Sequence, residues 1–166
     1  MHFIDGKART IIVFFASPPQ RTCRGKILNW IIRTASRSAI THCAIGWDNV
    51  VIEPSPRGIR RVRMDTYVTR YPGLWGFAAV KVSTVDTRLQ TVRYYPWLGV
   101  MLRAVAPGLF QPFDCVGVVV AVLRRGGVVA PPWVASPRQL LNWLRQMGYH
   151  VETVQRLEHG STPGDR

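Results

Sequence analysis

Apolar residues crowd together from Ile11 to Ala16, "IIVFFA", with no polar residue between them. A short β-branched and aromatic run of this kind, stopped by Ser17-Pro18-Pro19, predicts a buried strand. From Lys26 onward the period changes. Ile27, Trp30, Ile31 and Ala35 recur at helical spacing, with Lys26, Asn29 and Arg33 between them. That pattern predicts an amphipathic helix of about three turns. "ITHCAIGWDNVVIEPS" then reads as two strands joined at Asp48-Asn49, a pair suited to a tight hairpin turn, with Pro54 and Pro56 ending the second strand. "GIRRVRM" alternates as a short strand. "DTYVTRY" predicts one helical turn opened by Asp65, and "WGFAAVKVS" a further strand.

Beyond Thr87 the pattern weakens. Arg88 to Leu102 fits one helix broken near Pro96, or a helix and a loop, and Pro107, Gly108 and Pro112 form a flexible approach to the next segment. "DCVGVVVAVLRRGG" carries two conflicting signals. Its valines favour a strand, and taken alone it reads as one, whereas Gly126-Gly127 behind it are well placed to stop a helix. Ser136-Pro137-Arg138-Gln139 is a capping box with proline at the first helical position. The helix it opens stops at Gly148, and "YHVETV" follows as a last strand. No repeat or linker interrupts this order. It predicts an α+β chain with an N-terminal arm over 1–10, a single domain over 11–154 and a flexible tail over 155–166.

Charge narrows the class of partner. The 166 residues carry 22 Lys+Arg against 9 Asp+Glu, a formal +13, and lysine stands only at Lys7, Lys26 and Lys81. An arginine-rich surface of this kind expects an anionic partner: the cell wall as the first choice, with lipid or nucleic acid as the others. Arg57, Arg60, Arg61 and Arg63 form the densest run. Such a run is usually a solvated face, but Arg60, Arg61 and Arg63 are candidates for anion binding, and strand alternation would align Arg61 with Arg63. No apolar stretch approaches the roughly 20 residues of a membrane span, and no basic leader with a cleavage site precedes "IIVFFA". A soluble protein synthesised in the cytoplasm is expected.

The three cysteines, Cys23, Cys43 and Cys115, form neither a CxxC pair nor a disulfide framework. No metal or cofactor motif is present. Cys115 has two readings. As a lone cysteine it is an inert core thiol. At the mouth of a helix it is a nucleophile, its thiolate favoured by the helix dipole and its carbonyl substrate held by free N–H groups. Thiol catalysis also needs a base and a group to orient it. Of the four histidines, His2 and His159 lie near the termini, and His150 opens the last strand. His42, at the start of the first hairpin strand, is the natural base candidate, its other reading being a satisfied structural histidine. Cys43 points to the opposite face of that strand and is expected in the core. Hairpin geometry brings Glu53 level with His42, within cross-strand reach. The tryptophans are expected to pack, except that Trp97, with Tyr94 and Tyr95, could line a cleft.

These residues resemble a family. "THCAIGWDNVVIEPSPRGIRRVRMD" resembles the histidine hairpin of NlpC-type papain-fold cysteine peptidases, and "FDCVGVVV" resembles their cysteine motif at a helix start. Here the histidine precedes the cysteine. That order resembles the circularly permuted branch, which includes YiiX-like hydrolases and relatives of lecithin retinol acyltransferase. The resemblance implies a permuted papain-like fold, a small antiparallel sheet packed on helices. It implies Cys115 as nucleophile, His42 as base, Glu53 as orienting group and no cofactor. Val116 stands where the family commonly has serine, and "KARTIIVFF" stands where a Gly-Asp pair is usual.

Three functions follow as expectations. The first is a cysteine amidase or peptidase acting on peptidoglycan peptides, with lipid acyl transfer as a rival on the same fold. The second is a basic, inactive structural or binding module, such as a phage tail or virion component that meets other virion proteins. The third is nucleic-acid binding, supported by the charge and weakly by "RYPGLW" and "RYYPWL".

Overall fold

A computed structural model of the chain describes residues 9–17, 23–55, 58–71, 73–85, 114–130, 134 and 136–153. Strand β1 (Arg9–Ala16) is the buried apolar run, two residues longer at its start than the apolar pattern suggests. It is an inner strand, antiparallel to β2 (His42–Trp47) on one side and β5 (Leu74–Val82) on the other. With β3 (Val50–Ser55), β4 (Gly58–Arg63) and β6 (Val151–Thr153) it forms a six-stranded antiparallel sheet in the order β4-β3-β2-β1-β5-β6. Both faces are covered, which explains the lack of alternation in β1. Ile11, Val13 and Phe15 enter one core, and Phe14 and Ala16 the other.

The β2–β3 hairpin turns where Asp48-Asn49 predicts. Both residues take positive φ, 46° and 63°, the left-handed pair that matches the twist of a two-residue hairpin. Trp47 faces Val50 across it. Pro54 does not end β3, which runs to Ser55. The β2–β3 ladder stops at Ile45–Ile52, so a residue without an N–H interrupts nothing on that side. The β3–β4 ladder continues past it to Ser55–Gly58.

Helix α1 (Cys23–Ser36) lies between β1 and β2 in the chain, and α2 (Met64–Arg70) between β4 and β5. α2 has about two turns, not one. Asp65 sits inside it and accepts from Thr66 N at 2.5 Å and Arg63 Nη2 at 2.9 Å. Its one buried residue, Tyr67, joins Phe14, Ala44, Val51 and Tyr71 in the smaller core.

The valine-rich segment is a helix, α3 (Cys115–Arg125). Asp114 caps it, its Oδ1 accepting from Gly117 N at 2.6 Å. Val116, Val118, Val119, Val120 and Val122 are each at most 1% exposed. Helical valine costs a few tenths of a kcal/mol relative to alanine, whereas burying its side chain contributes about 1.5–3 kcal/mol. Burial wins, and the local strand preference is overridden. α4 (Pro137–Gln146) begins as its capping sequence requires, with Ser136 Oγ accepting from Gln139 N at 3.2 Å. It buries Leu140, Leu141, Trp143 and Leu144 in the same core as α3, while Arg145 lies over the Trp75 ring at 5.5 Å. The α+β class with a small antiparallel sheet is thus observed. The expectations for Arg88–Leu102, Tyr94, Tyr95, Trp97, the Pro107–Pro112 approach and the 155–166 tail lie outside the described residues.

Asp114→Ala removes the cap of the helix that fills the larger core. We expect it to lower unfolding free energy by about 1–2 kcal/mol. Asp114→Asn, which keeps an acceptor oxygen, should cost markedly less. Urea denaturation of both variants measures this, and equal losses would contradict the capping role.

Candidate active site

The site forms at the end of the sheet where β1 finishes and β2 begins. Ala16 and His42 are partners across that end, and Thr41 N donates to Ala16 O at 3.2 Å. β2 alternates, so Cys43 enters the core that holds α3, while Ala44 enters the core that holds Tyr67 and Tyr71. As the first residue of its strand, His42 lies where the start of α3 and the end of α2 converge. Its ring stacks on Tyr71, with centroids 5.8 Å apart and planes 9° apart.

Cys115 is the first residue of α3 and is 8% exposed. Its thiol is within hydrogen-bonding reach of the Cys43 thiol and backbone N–H and of the His42 imidazole. Burial alone would push the thiol up. The Cys43 hydrogen bond, then the hydrogen bond and charge of His42, outweigh it and hold Cys115 well below the ordinary thiol range. The start of α3 acts in the same direction, because helix N-termini favour anions. Asp114 takes part of that end, its side chain holding Gly117 N and its carbonyl Val118 N.

Glu53 lies on the face of β3 that carries Val51, the face on which His42 stacks with Tyr71. Continuing the β2–β3 register sets Glu53 opposite Ala44 rather than His42. Its side chain is 1% exposed and fully engaged elsewhere. Oε2 accepts from Arg60 Nε at 2.6 Å, with Arg70 Nη1 at 3.7 Å. Oε1 accepts from Tyr71 Oη. Burial raises this carboxyl, but the Arg60 and Tyr71 hydrogen bonds and the Arg60 charge, with a smaller contribution from His42, lower it below the usual range. Tyr71 is pushed well up by burial and by the same carboxylate. Glu53 therefore reaches His42 through its charge and through the Tyr71 ring. His42 Nε2 is buried with no hydrogen-bond partner among the described residues.

The expected anion-binding arginines divide between two roles. Arg61 and Arg63 do share a face, opposite Ile52 and Val50, and both are exposed. Arg63 pairs with Asp65. Arg60 stands opposite Glu53 and is its ion-pair partner. Among the described residues no group of His, Cys, Asp and Glu could hold a metal ion. No helix among them is long and apolar enough to cross a membrane.

Three neighbours of the site escaped sequence reasoning: Cys43 as a partner of Cys115, Tyr71 as the platform under His42, and Arg70 beside Glu53. Alternation had already turned Cys43 away from His42, and that same face meets α3. Tyr67 and Tyr71 are one helical turn apart, a spacing that marks a common face; their ring centroids are 4.4 Å apart. Nothing in the sequence indicated which strand that face covers.

Because Glu53 is lowered in the folded protein, it contributes stability above its unfolded pKa and loses it as pH falls through the folded value. Glu53→Gln should be less stable than wild type at neutral pH. The gap should close only as pH drops below the ordinary carboxylate range of about 4. Denaturation midpoints across pH measure this, and a gap independent of pH would contradict it.

No protein-family model matches this chain, and neither the curated proteins nor the solved structures include a significant match to it.

Proposed function

We propose that the protein is a cysteine hydrolase that cleaves an amide or ester through an acyl-enzyme on Cys115. The observation that supports this is the contact between a thiol held low at the first turn of a helix and the imidazole of His42. In the proposed reaction the Cys115 thiol passes its proton to His42, and the thiolate attacks the substrate carbonyl carbon. The developing oxyanion meets the Cys115 and Val116 N–H groups at the tip of α3, since Asp114 occupies Gly117 N and Val118 N. His42 returns the proton to the departing nitrogen or oxygen. Water, deprotonated by His42, then attacks the thioester, releasing the acid and the thiol. Tyr71 and Glu53 position the imidazole. A permuted papain-like fold and a wall-peptide substrate follow from the sequence resemblance, and an acidic wall polymer suits the +13 charge.

A second reading has its own support. Glu53 is committed to Arg60 and Tyr71, and His42 Nε2 lacks a partner among the described residues. A site of this kind suits a basic binding module, in a cell envelope or a virion, that keeps the arrangement without turnover.

The two readings separate when wild type and Cys115→Ala are assayed on a cell-wall peptide and on an activated acyl ester, with circular dichroism to monitor folding. The enzyme reading expects a loss of more than about a thousandfold in Cys115→Ala and a wild-type mass adduct equal to the acyl group. A folded wild type that turns over neither substrate, while Arg61→Ala weakens its binding to an anionic polymer, overturns it.

A further inference from the structure

Helix α1 exposes a stripe that the proposed chemistry does not use. Cys23, Lys26, Ile27, Trp30, Arg33 and Thr34 are all exposed, and their spacing puts them along one side of the helix. Trp30 is 66% exposed and Ile27 54%, among the largest apolar exposures in the described residues. Lys26 and Arg33 flank them, and a cleft of about 430 Å³ runs beside Trp30 between Lys26 and Arg33. Single exposed apolar residues are ordinary. Two adjacent ones, an aromatic and an aliphatic, bracketed by cations on one helix face, form a combined apolar and basic patch.

The chain leaves the sheet at Ala16 to enter α1 and returns at His42, and those two residues are partners across the sheet end. The stripe therefore belongs to the connection that starts and finishes at the candidate site.

We propose that this face of α1 docks the protein on a membrane surface bearing anionic lipids. The chemistry fits that partner in three respects. An indole favours the headgroup level of a bilayer, where its apolar ring and polar N–H are both accommodated. An isoleucine side chain gains by entering the acyl boundary, which a wall polymer or a nucleic acid does not offer. Lys26 and Arg33 have aliphatic stems that lie along the apolar surface while their charges meet phosphate. The net +13 draws the whole chain to such a surface. This inference is independent of whether Cys115 turns over.

Vesicle flotation tests it, using phosphatidylcholine alone and phosphatidylcholine mixed with phosphatidylglycerol. Wild type should float with the anionic vesicles and not with the neutral ones. Ile27→Ser/Trp30→Ser and Lys26→Glu/Arg33→Glu should each weaken partitioning by about tenfold or more, with unchanged far-ultraviolet circular dichroism. Lys81→Glu, an exposed charge on β5, should change it little. No flotation of wild type, or binding unaltered by Ile27→Ser/Trp30→Ser, overturns the proposal. So does a loss in Lys81→Glu as large as in Lys26→Glu/Arg33→Glu, which would make the attraction one of net charge alone. A single-stranded oligonucleotide that binds as tightly as the vesicles, and depends on the same residues, would reassign the face to nucleic acid.

Discussion

The packing of α3 against β2 is the contact on which the rest of this structure depends. Five valines that individually resist helix formation are held in a helix because each is buried. Asp114 sets where that helix begins. Given that start, Cys115 must occupy the first turn, and β2 must present Cys43 to it. The strand's opening residue, His42, then lies beside the thiol. A helix begun one residue later would rotate Cys115 away by roughly a quarter turn and dissolve the contact. Structure and candidate chemistry thus share one determinant, the cap.

Buried charge adds a second layer. Glu53 is almost wholly removed from water, a placement tolerated only when the carboxylate is paired and hydrogen-bonded. Arg60, Arg70 and Tyr71 supply those partners from β4 and from α2 with the residue that follows it. Because Tyr71 also stacks on His42, the network that makes Glu53 tolerable extends to the imidazole. This differs from a carboxylate bonded directly to the imidazole.

Much of the fold was legible where pattern and turn chemistry agreed. The β2–β3 hairpin rested on Asp48-Asn49, whose positive φ angles are what the turn needs. α4 followed from Ser136-Pro137 and its apolar stripe. α3 was ambiguous because propensity reports local cost, and the deciding term, burial on nearly every side, is set by partners distant in sequence. The assembled structure brings the Cys115 and His42 side chains within hydrogen-bonding reach. The role of Glu53 was not fully legible, because the register of a hairpin says which residues share a face but not which of several partners captures a side chain there. The sequence marks Arg60 as a candidate for anion binding, since a strand pattern alone does not show that Glu53 lies opposite. Tyr71 was invisible for the same reason: it follows directly after α2, and only the assembled sheet shows that it faces His42.

If Cys115 and His42 act as one unit, the reactivity of the thiol depends on the imidazole. The rate at which each cysteine is alkylated by iodoacetamide at about pH 6, resolved by peptide mass spectrometry in wild type and in His42→Ala, addresses it most directly. An ordinary thiol scarcely reacts there. Cys115, although buried, should label faster than the exposed Cys23, and His42→Ala should slow Cys115 without changing Cys23. A Cys115 that labels no faster than Cys23, at a rate indifferent to His42, would contradict that dependence and leave a core thiol in a basic binding protein.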